Sequence, residues 1–376
     1  MMHPFNEFIL KIASGCNLNC DYCYEYNLGD DSWKKMPAYF SNELAEILVK
    51  KIINHSKSKD LDRVNISFHG GEPLLIGEKK LSELCRTFYK IEKEGIEVDL
   101  TMQTNGTLIS KETAKVFKKN NIFVAISIDG PKIVNDLHRL DHKGQSTFEN
   151  TMRGINILKD NTPELLSGLL SVIDISSDPL EVFDFIASLE VERVDFLKPH
   201  YNWNTPPPRV NKIKDKNVNP DTCYGEWFGL IWDSWFNGRH SWMQIRFFEN
   251  IIRSFMGGRA LHEEMTLEPA TLLTIASNGN IEGVDTLKST AANSQHTGLN
   301  IINCELDDCY NSEIISSRQS GKEDLCTTCN ECKHLKQCAG GYFPHRFSKN
   351  NNFDNTSIYC NDLYWILDKI QNDIKL

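Results

Sequence analysis

Through the first half of the chain, short runs of apolar and β-branched residues alternate with longer stretches of helical periodicity. The runs fall at residues 8–13, 64–69, 98–102, 123–128, 169–173 and 194–197. Between them lie 41–54, 79–93, 111–119, 148–158 and 180–189, each with apolar residues spaced for one face of a helix. Strands separated by helices of this length predict parallel βαβ units and an α/β fold. Six units are too few to close an eight-stranded barrel, so residues 1–200 are expected to form an open, partial (β/α)6 barrel.

The pattern changes near residue 200. Asn204-Thr205-Pro206-Pro207-Pro208 and the polar stretch 212–219 interrupt it, and consecutive prolines continue neither a helix nor a central strand. Residues 201–270 therefore read as a bridge, with amphipathic helices expected over 223–236 and 244–256. Trp227, Trp232 and Trp235 recur at nearly helical spacing, a stripe expected in the core. From residue 271, two short apolar runs flank Ser277-Asn278-Gly279-Asn280, a hairpin signal that opens a third region, 271–376.

Composition narrows the function classes. The chain has 376 residues and 40% hydrophobic content, enough for a large core. Its net charge of −10 argues against a nucleic-acid or anionic-membrane partner. No apolar run approaches the ~20 residues of a membrane span, and Met1-Met2-His3-Pro4-Phe5 lacks the layout of a signal peptide. A cytoplasmic location is expected, where twelve cysteines are metal ligands sooner than disulfides.

Ligands in parallel α/β folds sit beyond the C-terminal ends of the strands, and polar motifs follow the strands directly. After the first comes Cys16-Asn17-Leu18-Asn19-Cys20-Asp21-Tyr22-Cys23. Thiolates are the ligands of iron–sulfur clusters. Three without a local fourth leave one iron open to a further ligand, as catalytic zinc sites keep an open position. The competing readings are a zinc knuckle, which closes at four paired ligands, and scattered core cysteines. The later strands are followed by His69-Gly70-Gly71-Glu72-Pro73, Gln103-Thr104-Asn105-Gly106 and Ser127-Ile128-Asp129-Gly130-Pro131.

The Cys-x3-Cys-x2-Cys spacing, with Tyr22 before its last cysteine, resembles the signature of the radical S-adenosylmethionine (SAM) enzymes. The resemblance implies a partial barrel and a [4Fe–4S] cluster on Cys16, Cys20 and Cys23. It also implies SAM chelated by the open iron and cleaved by one electron from a flavodoxin- or ferredoxin-type donor. By the same resemblance Gly70, Gly71, Glu72 and Pro73 match the motif that grips the SAM amino group. Thr104, Asn105, Ser127 and Asp129 match the ribose- and carboxylate-contacting strand ends, and Arg139 the carboxylate contact. Leu197 would lie near the adenine, and His200 at the cavity mouth.

Five cysteines follow within 35 residues: Cys326, Cys329, Cys332, Cys338 and Cys360. Zinc is again the competing reading. Cys329-x2-Cys332-x5-Cys338, closed by Cys360, resembles the second half of the SPASM extension, which carries auxiliary [4Fe–4S] clusters in peptide-modifying radical SAM enzymes. The fuller pattern has further cysteines where this chain has Tyr342 and Val284. One auxiliary cluster is therefore expected rather than two, with Cys326 a spare or alternative ligand, alone or with Cys304 and Cys309. Asp285 follows the vacated position, where sulfatase-maturating relatives have a base.

The stretches 281–288, 340–347 and 353–360 look like the maturases that make three-residue cyclophanes in ribosomal peptides. That resemblance implies hydrogen abstraction from a side-chain β-carbon of a ribosomally made precursor. The carbon then bonds to an aromatic residue two positions earlier, with Asp285 or His345 accepting the proton. The alternatives are a formylglycine-forming sulfatase-type maturase, a thioether-forming maturase, and a non-catalytic iron–sulfur scaffold or sensor.

Overall fold

The computed structural model describes residues 3–209, 219–260 and 263–375. Of the polar stretch expected at 212–219, only Asn219 is among them. Among the described residues there are ten strands: β1 (Glu7–Ala13), β2 (Arg63–Gly70), β3 (Glu97–Thr104), β4 (Ile122–Ser127), β5 (Leu166–Val172), β6 (Arg193–Leu197), β7 (Gln244–Ile245), β8 (Leu272–Ile275), β9 (Asn280–Glu282) and β10 (His296–Asn300). The chain divides into two compact units. One comprises Met1–Ser127, His138–Ser167 and Ala270–Gln319; the other Ile128–Leu137, Gly168–Pro269 and Ser320–Leu376.

In the first unit β1 to β4 run parallel in chain order. Along β2 and β3 buried and half-buried residues alternate, with Val64, Ile66 and Phe68, then Val98, Leu100 and Met102, on the inner face. β1 differs, because every residue from Leu10 to Ala13 is buried, as in a strand covered on both faces. β8 lies along its other edge in parallel, Glu7 opposite Leu272, and the expected hairpin continues through β9 and β10 antiparallel. The sequence grouped residue 272 onward with the C-terminal cysteines and contained no sign of this pairing or of β10.

Helix Asn42–Ser58 buries Ala45, Leu48, Val49 and Ile52, and Ser41 caps it by accepting from the Leu44 amide at 3.2 Å. Such a cap stabilises by about 1 kcal/mol. The helix expected over 79–93 ends at Phe88, and a separate 3-10 turn, Ile91–Glu94, carries Ile91 into the core.

In the second unit β5, β6 and β7 are parallel. Helices Cys223–Phe236 and Arg246–Phe255 meet in an aromatic core: Phe228 stacks on Phe247 at 4.4 Å between centroids, and Trp232 meets Phe248 edge-on at 5.4 Å. A helix absent from the sequence-based expectations, Cys360–Asp373, docks against the first of these. Its Asp362 carboxylate accepts from the amides of Tyr224 and Gly225, at 2.8 and 3.0 Å, and from Arg209 at 2.7 Å. Gly225 permits that approach, since a Cβ there would stand 2.5 Å from the Asp362 carbonyl oxygen. Among the described residues no helix is long and apolar enough to cross a membrane.

Candidate active site

β1 runs directly into the cysteine loop. The Leu18 amide donates to Cys16 Sγ at 3.4 Å, Asn105 Nδ2 donates to the same sulfur at 3.9 Å, and the Cys23 amide turns back to the Cys20 carbonyl at 3.1 Å. Burial pushes the Cys16 and Cys23 thiols up to about 12, and the neighbouring thiols push in the same direction. Without a cation these sulfurs stay protonated, and a metal centre is what would ionise them.

The glycine pair after β2 has a packing reason of its own. At Gly71 a Cβ would fall 1.8 Å from Tyr26 Oη and 2.3 Å from the Gly15 carbonyl; at Gly70 (φ +143°) it would fall 2.2 Å from the Ala13 carbonyl. The gap closes with Gly71 and Glu72 amides donating to Ala13 and Gly15, at 3.0 and 2.9 Å. Side chains at either position would force the cysteine loop away from β2.

Glu72 is completely buried. Its Oε1 accepts from Thr104 Oγ1 at 2.6 Å and the Leu74 amide at 3.0 Å, and its Oε2 accepts from the Asn105 amide at 2.8 Å. The carboxylate thus joins the ends of β2 and β3. Pro73 starts the 3-10 turn between them. Asn105 Nδ2 reaches back to Asn17 at 2.9 Å, and Arg139 donates to Tyr22 Oη at 3.0 Å. Ser127 accepts from Gln103 at 2.8 Å. The first unit therefore gathers the cysteine loop, Tyr22, the Gly-Gly-Glu turn, Thr104, Asn105 and Arg139 through direct hydrogen bonds. Asp129 and Leu197 belong to the second unit: Asp129 Oδ1 accepts from the Val172 amide at 3.1 Å, and the Leu197 carbonyl from the Ile173 amide at 2.9 Å.

Asp285 sits in a buried chain of charges. Lys11 Nζ contacts its Oδ2 at 2.5 Å and also pairs with Glu25. Lys288 bonds Glu25 at 2.8 Å and faces Glu282 at 3.4 Å. Tyr24 Oη donates to Asp285 Oδ2 and the Thr286 amide to Oδ1, both at 3.0 Å, while His69 Nδ1 lies 3.3 Å from Lys11 Nζ. Burial alone would raise the Asp285 carboxyl, but Lys11, through its charge and its hydrogen bond, together with His69 and Lys288 outweighs it and holds the group well below the usual range. Burial and Lys11 lower His69 to about 4, leaving a neutral imidazole. Asp285 is a fixed carboxylate of low proton affinity.

Glu282 is the exception in this cluster. It is completely buried, neither carboxyl oxygen has a hydrogen-bond partner, and burial raises it to about 7. Sequence reasoning found Asp285 but none of its partners. The available signal was Lys11, a lone charge inside an apolar strand.

In the second unit Cys326, Cys329, Cys332, Cys338 and Cys360 are near enough for charge on one to act on the others. Burial, followed by its neighbours Cys360 and Cys332, pushes Cys338 up to about 12. His345 is completely buried with no hydrogen bond to either ring nitrogen, and burial holds it well below the usual histidine range. Its neighbours are rings: Tyr359 at 5.0 Å, Tyr342 at 5.4 Å and His200 at 5.6 Å. Cys304 and Cys309 lie in the first unit, where the Cys304 thiol donates to the Asn300 carbonyl at 3.1 Å. Among the described residues no three His, Cys, Asp or Glu side chains converge on one ion position. A four-iron cube takes its thiolates at separate corners, a wider spacing than one ion sets.

Residues 10–186 match the model of the radical SAM superfamily. This part of the chain is a radical SAM domain. Along its whole length the protein is 25% identical to the cysteine-type anaerobic sulfatase-maturating enzyme of Clostridium perfringens, over 96% of this chain and 94% of that one. Its fold superposes on native anSMEcpe with bound AdoMet and Kp18Cys peptide, with TM-score 0.82 and 21% identity over 99% of both chains. SuiB of Streptococcus suis, bound to its precursor peptide SuiA, superposes with TM-score 0.59 and 17% identity, over 95% of this chain and 76% of that one. The α/β fold expected from the strand–helix alternation, and the radical SAM fold that the cysteine-motif resemblance implied, is the one observed. The superfamily's cofactors, SAM and a [4Fe–4S] cluster, suit a domain in which three thiols follow β1 and burial raises two of them, Cys16 and Cys23.

Proposed function

We propose that this protein is a radical SAM maturase acting on a ribosomally made precursor peptide, and that its product is a three-residue cyclophane. Cys16, Cys20 and Cys23 would hold the [4Fe–4S] cluster, with SAM on its open iron. Cys329, Cys332, Cys338 and Cys360, with Cys326 beside them, would hold one auxiliary cluster. When bound, the first cluster and SAM supply a 5′-deoxyadenosyl radical that takes hydrogen from the peptide. A flavodoxin- or ferredoxin-type protein would deliver the electron.

The residues divide the remaining work. After the β-carbon radical has added to the aromatic ring, the ring must shed one electron and one proton. Once the electron has gone, the ring carbon is a strong acid, so a carboxylate of low proton affinity suffices to receive the proton. Asp285, anionic under Lys11 and Tyr24, meets that requirement. His345 is the second candidate acceptor, neutral and without a competing hydrogen bond.

The observation that carries the reading is the fate of two positions where the fuller SPASM pattern has cysteines. Val284 and Tyr342 fill them, both buried, and Tyr342 packs against His200 and His345. Formylglycine formation is the second reading, supported by similarity to sulfatase-maturating enzymes along the whole chain.

Co-expression with candidate precursor peptides that carry an aromatic residue two positions before the modified one, or a sulfatase-type Cys or Ser, followed by tandem mass spectrometry, separates the two. A cyclophane loses two hydrogens and resists backbone fragmentation inside the three-residue ring. A formylglycine fragments normally and reacts with hydrazides. Iron analysis adds an independent check: two clusters give about eight irons per chain, three about twelve.

A further inference from the structure

Arg346 is 5% exposed, yet no carboxylate pairs with it among the described residues. Nη1 donates to the Asp324 carbonyl at 3.4 Å, the guanidinium carbon lies 4.8 Å from the centre of the Phe343 ring, and Nε has no hydrogen-bond partner. The carboxylate of Asp324 is engaged by Ser320 instead. A Cβ at Gly340 would stand 3.6 Å from Nη1. The guanidinium therefore lies between the turn entering Cys326 and the turn leaving Cys338. Charges on Cys329 and Cys326 act on it most strongly, then those on Asp324 and Cys338.

A guanidinium stays protonated in a protein, so this is a permanent positive charge facing thiols and lacking the anion such a burial demands. With the thiols ionised around a cluster, that anion is present. A fixed positive charge beside an iron–sulfur centre favours the reduced form, which carries one more negative charge, because net charge and hydrogen bonds to sulfur set the potential.

We propose that Arg346 is the resident counter-charge of the auxiliary cluster and holds its reduction potential up. The cluster can then take the electron released when the crosslinked ring regains aromaticity. The second half of that statement rests on the reaction proposed above. In that step the peptide radical loses one electron to the cluster and one proton to a base, and no bond to Arg346 forms or breaks. Arg346 is a positioning residue in this scheme.

Dye-mediated potentiometric titration of the reconstituted holoenzyme, followed by EPR, tests it without peptide. The wild type should titrate two clusters. Arg346→Gln should keep about eight irons per chain while its auxiliary midpoint moves negative by at least tenfold in the reduction equilibrium, 59 mV for one electron. The N-terminal cluster is the internal reference and should not move. Arg346→Lys keeps the charge and should recover most of the shift. Iron lost from Arg346→Gln but retained by Arg346→Lys also supports a counter-charge. An unshifted midpoint in iron-replete Arg346→Gln, loss of auxiliary iron from both variants, or a wild type with one cluster overturns it. A shifted midpoint in an enzyme whose product is formylglycine would keep the counter-charge and discard the cyclophane.

Discussion

Replacing Glu282 with Gln should change how stability depends on pH, by an amount the structure allows to be worked out. The acid is completely buried, has no hydrogen-bond donor on either oxygen among the described residues, and faces Lys288 at 3.4 Å. Burial raises it from the ordinary 4.5 to about 7. Below pH 4.5 it is protonated in both folded and unfolded chains and adds no pH dependence. Between 4.5 and 7 only the unfolded chain releases the proton, so unfolding becomes steadily more favourable. Across those two and a half pH units, at about 1.36 kcal/mol each, the folded state loses about 3 kcal/mol. Glutamine keeps the shape of the neutral acid and carries no such slope. Anaerobic urea denaturation of the holoprotein at pH 5 and pH 8, followed by circular dichroism, should show the variant gaining about 2.5 kcal/mol on the wild type between the two. Titrating groups remote from Glu282 are shared and cancel in that difference. Parallel pH profiles, or a variant that loses ground at pH 8, would refute the assignment of a poorly solvated acid.

Lys288→Met should destabilise by about 3–5 kcal/mol, because it leaves buried Glu25 and Glu282 without their shared cation; adding Glu282→Gln should recover part of that in the same denaturation assay. Gly71→Ala should displace the cysteine loop from β2, and iron analysis should find only the auxiliary cluster's share, about four irons per chain. Asp285→Asn should still cleave SAM to 5′-deoxyadenosine in the absence of peptide while peptide crosslinking falls at least tenfold; crosslinking at the normal rate would remove Asp285 from the proton transfer. Thr104→Val should cost about 1–3 kcal/mol, since it withdraws a 2.6 Å donor from the buried Glu72 carboxylate.

The strands were legible because each is a run whose composition announces it. β1 to β6 appear within a few residues of where β-branched and apolar positions concentrate. The turns that follow them were legible as chemistry because glycine, asparagine and acidic residues interrupt those runs at the strand ends. β7 is two residues long and left no period to read, whereas Cys360–Asp373 does carry one, in Leu363, Ile366, Leu367 and Ile370, which the reading of Cys360 as a ligand left unused. Glu72 shows the limit in a different way. Its motif suggested a ligand for a cationic amine, while its position reveals a carboxylate whose oxygens accept three donors from the chain itself.

Read alone, the sequence determined the order of strands and helices, the loop that carries three thiols, and the group of five cysteines near the C-terminus. Those features are local: a period of two or of 3.6 and a ligand spacing are written in neighbouring residues. Folding in three dimensions is what lays β8 along β1, brings Lys11 to Asp285 across 274 positions of chain, and leaves Glu282 without a donor among the described residues. A charge takes its proton affinity from what surrounds it in space, and burial multiplies the effect of each neighbour. Folding brings those neighbours from remote segments, so the same aspartate or glutamate can end as a clamped anion or a nearly neutral acid.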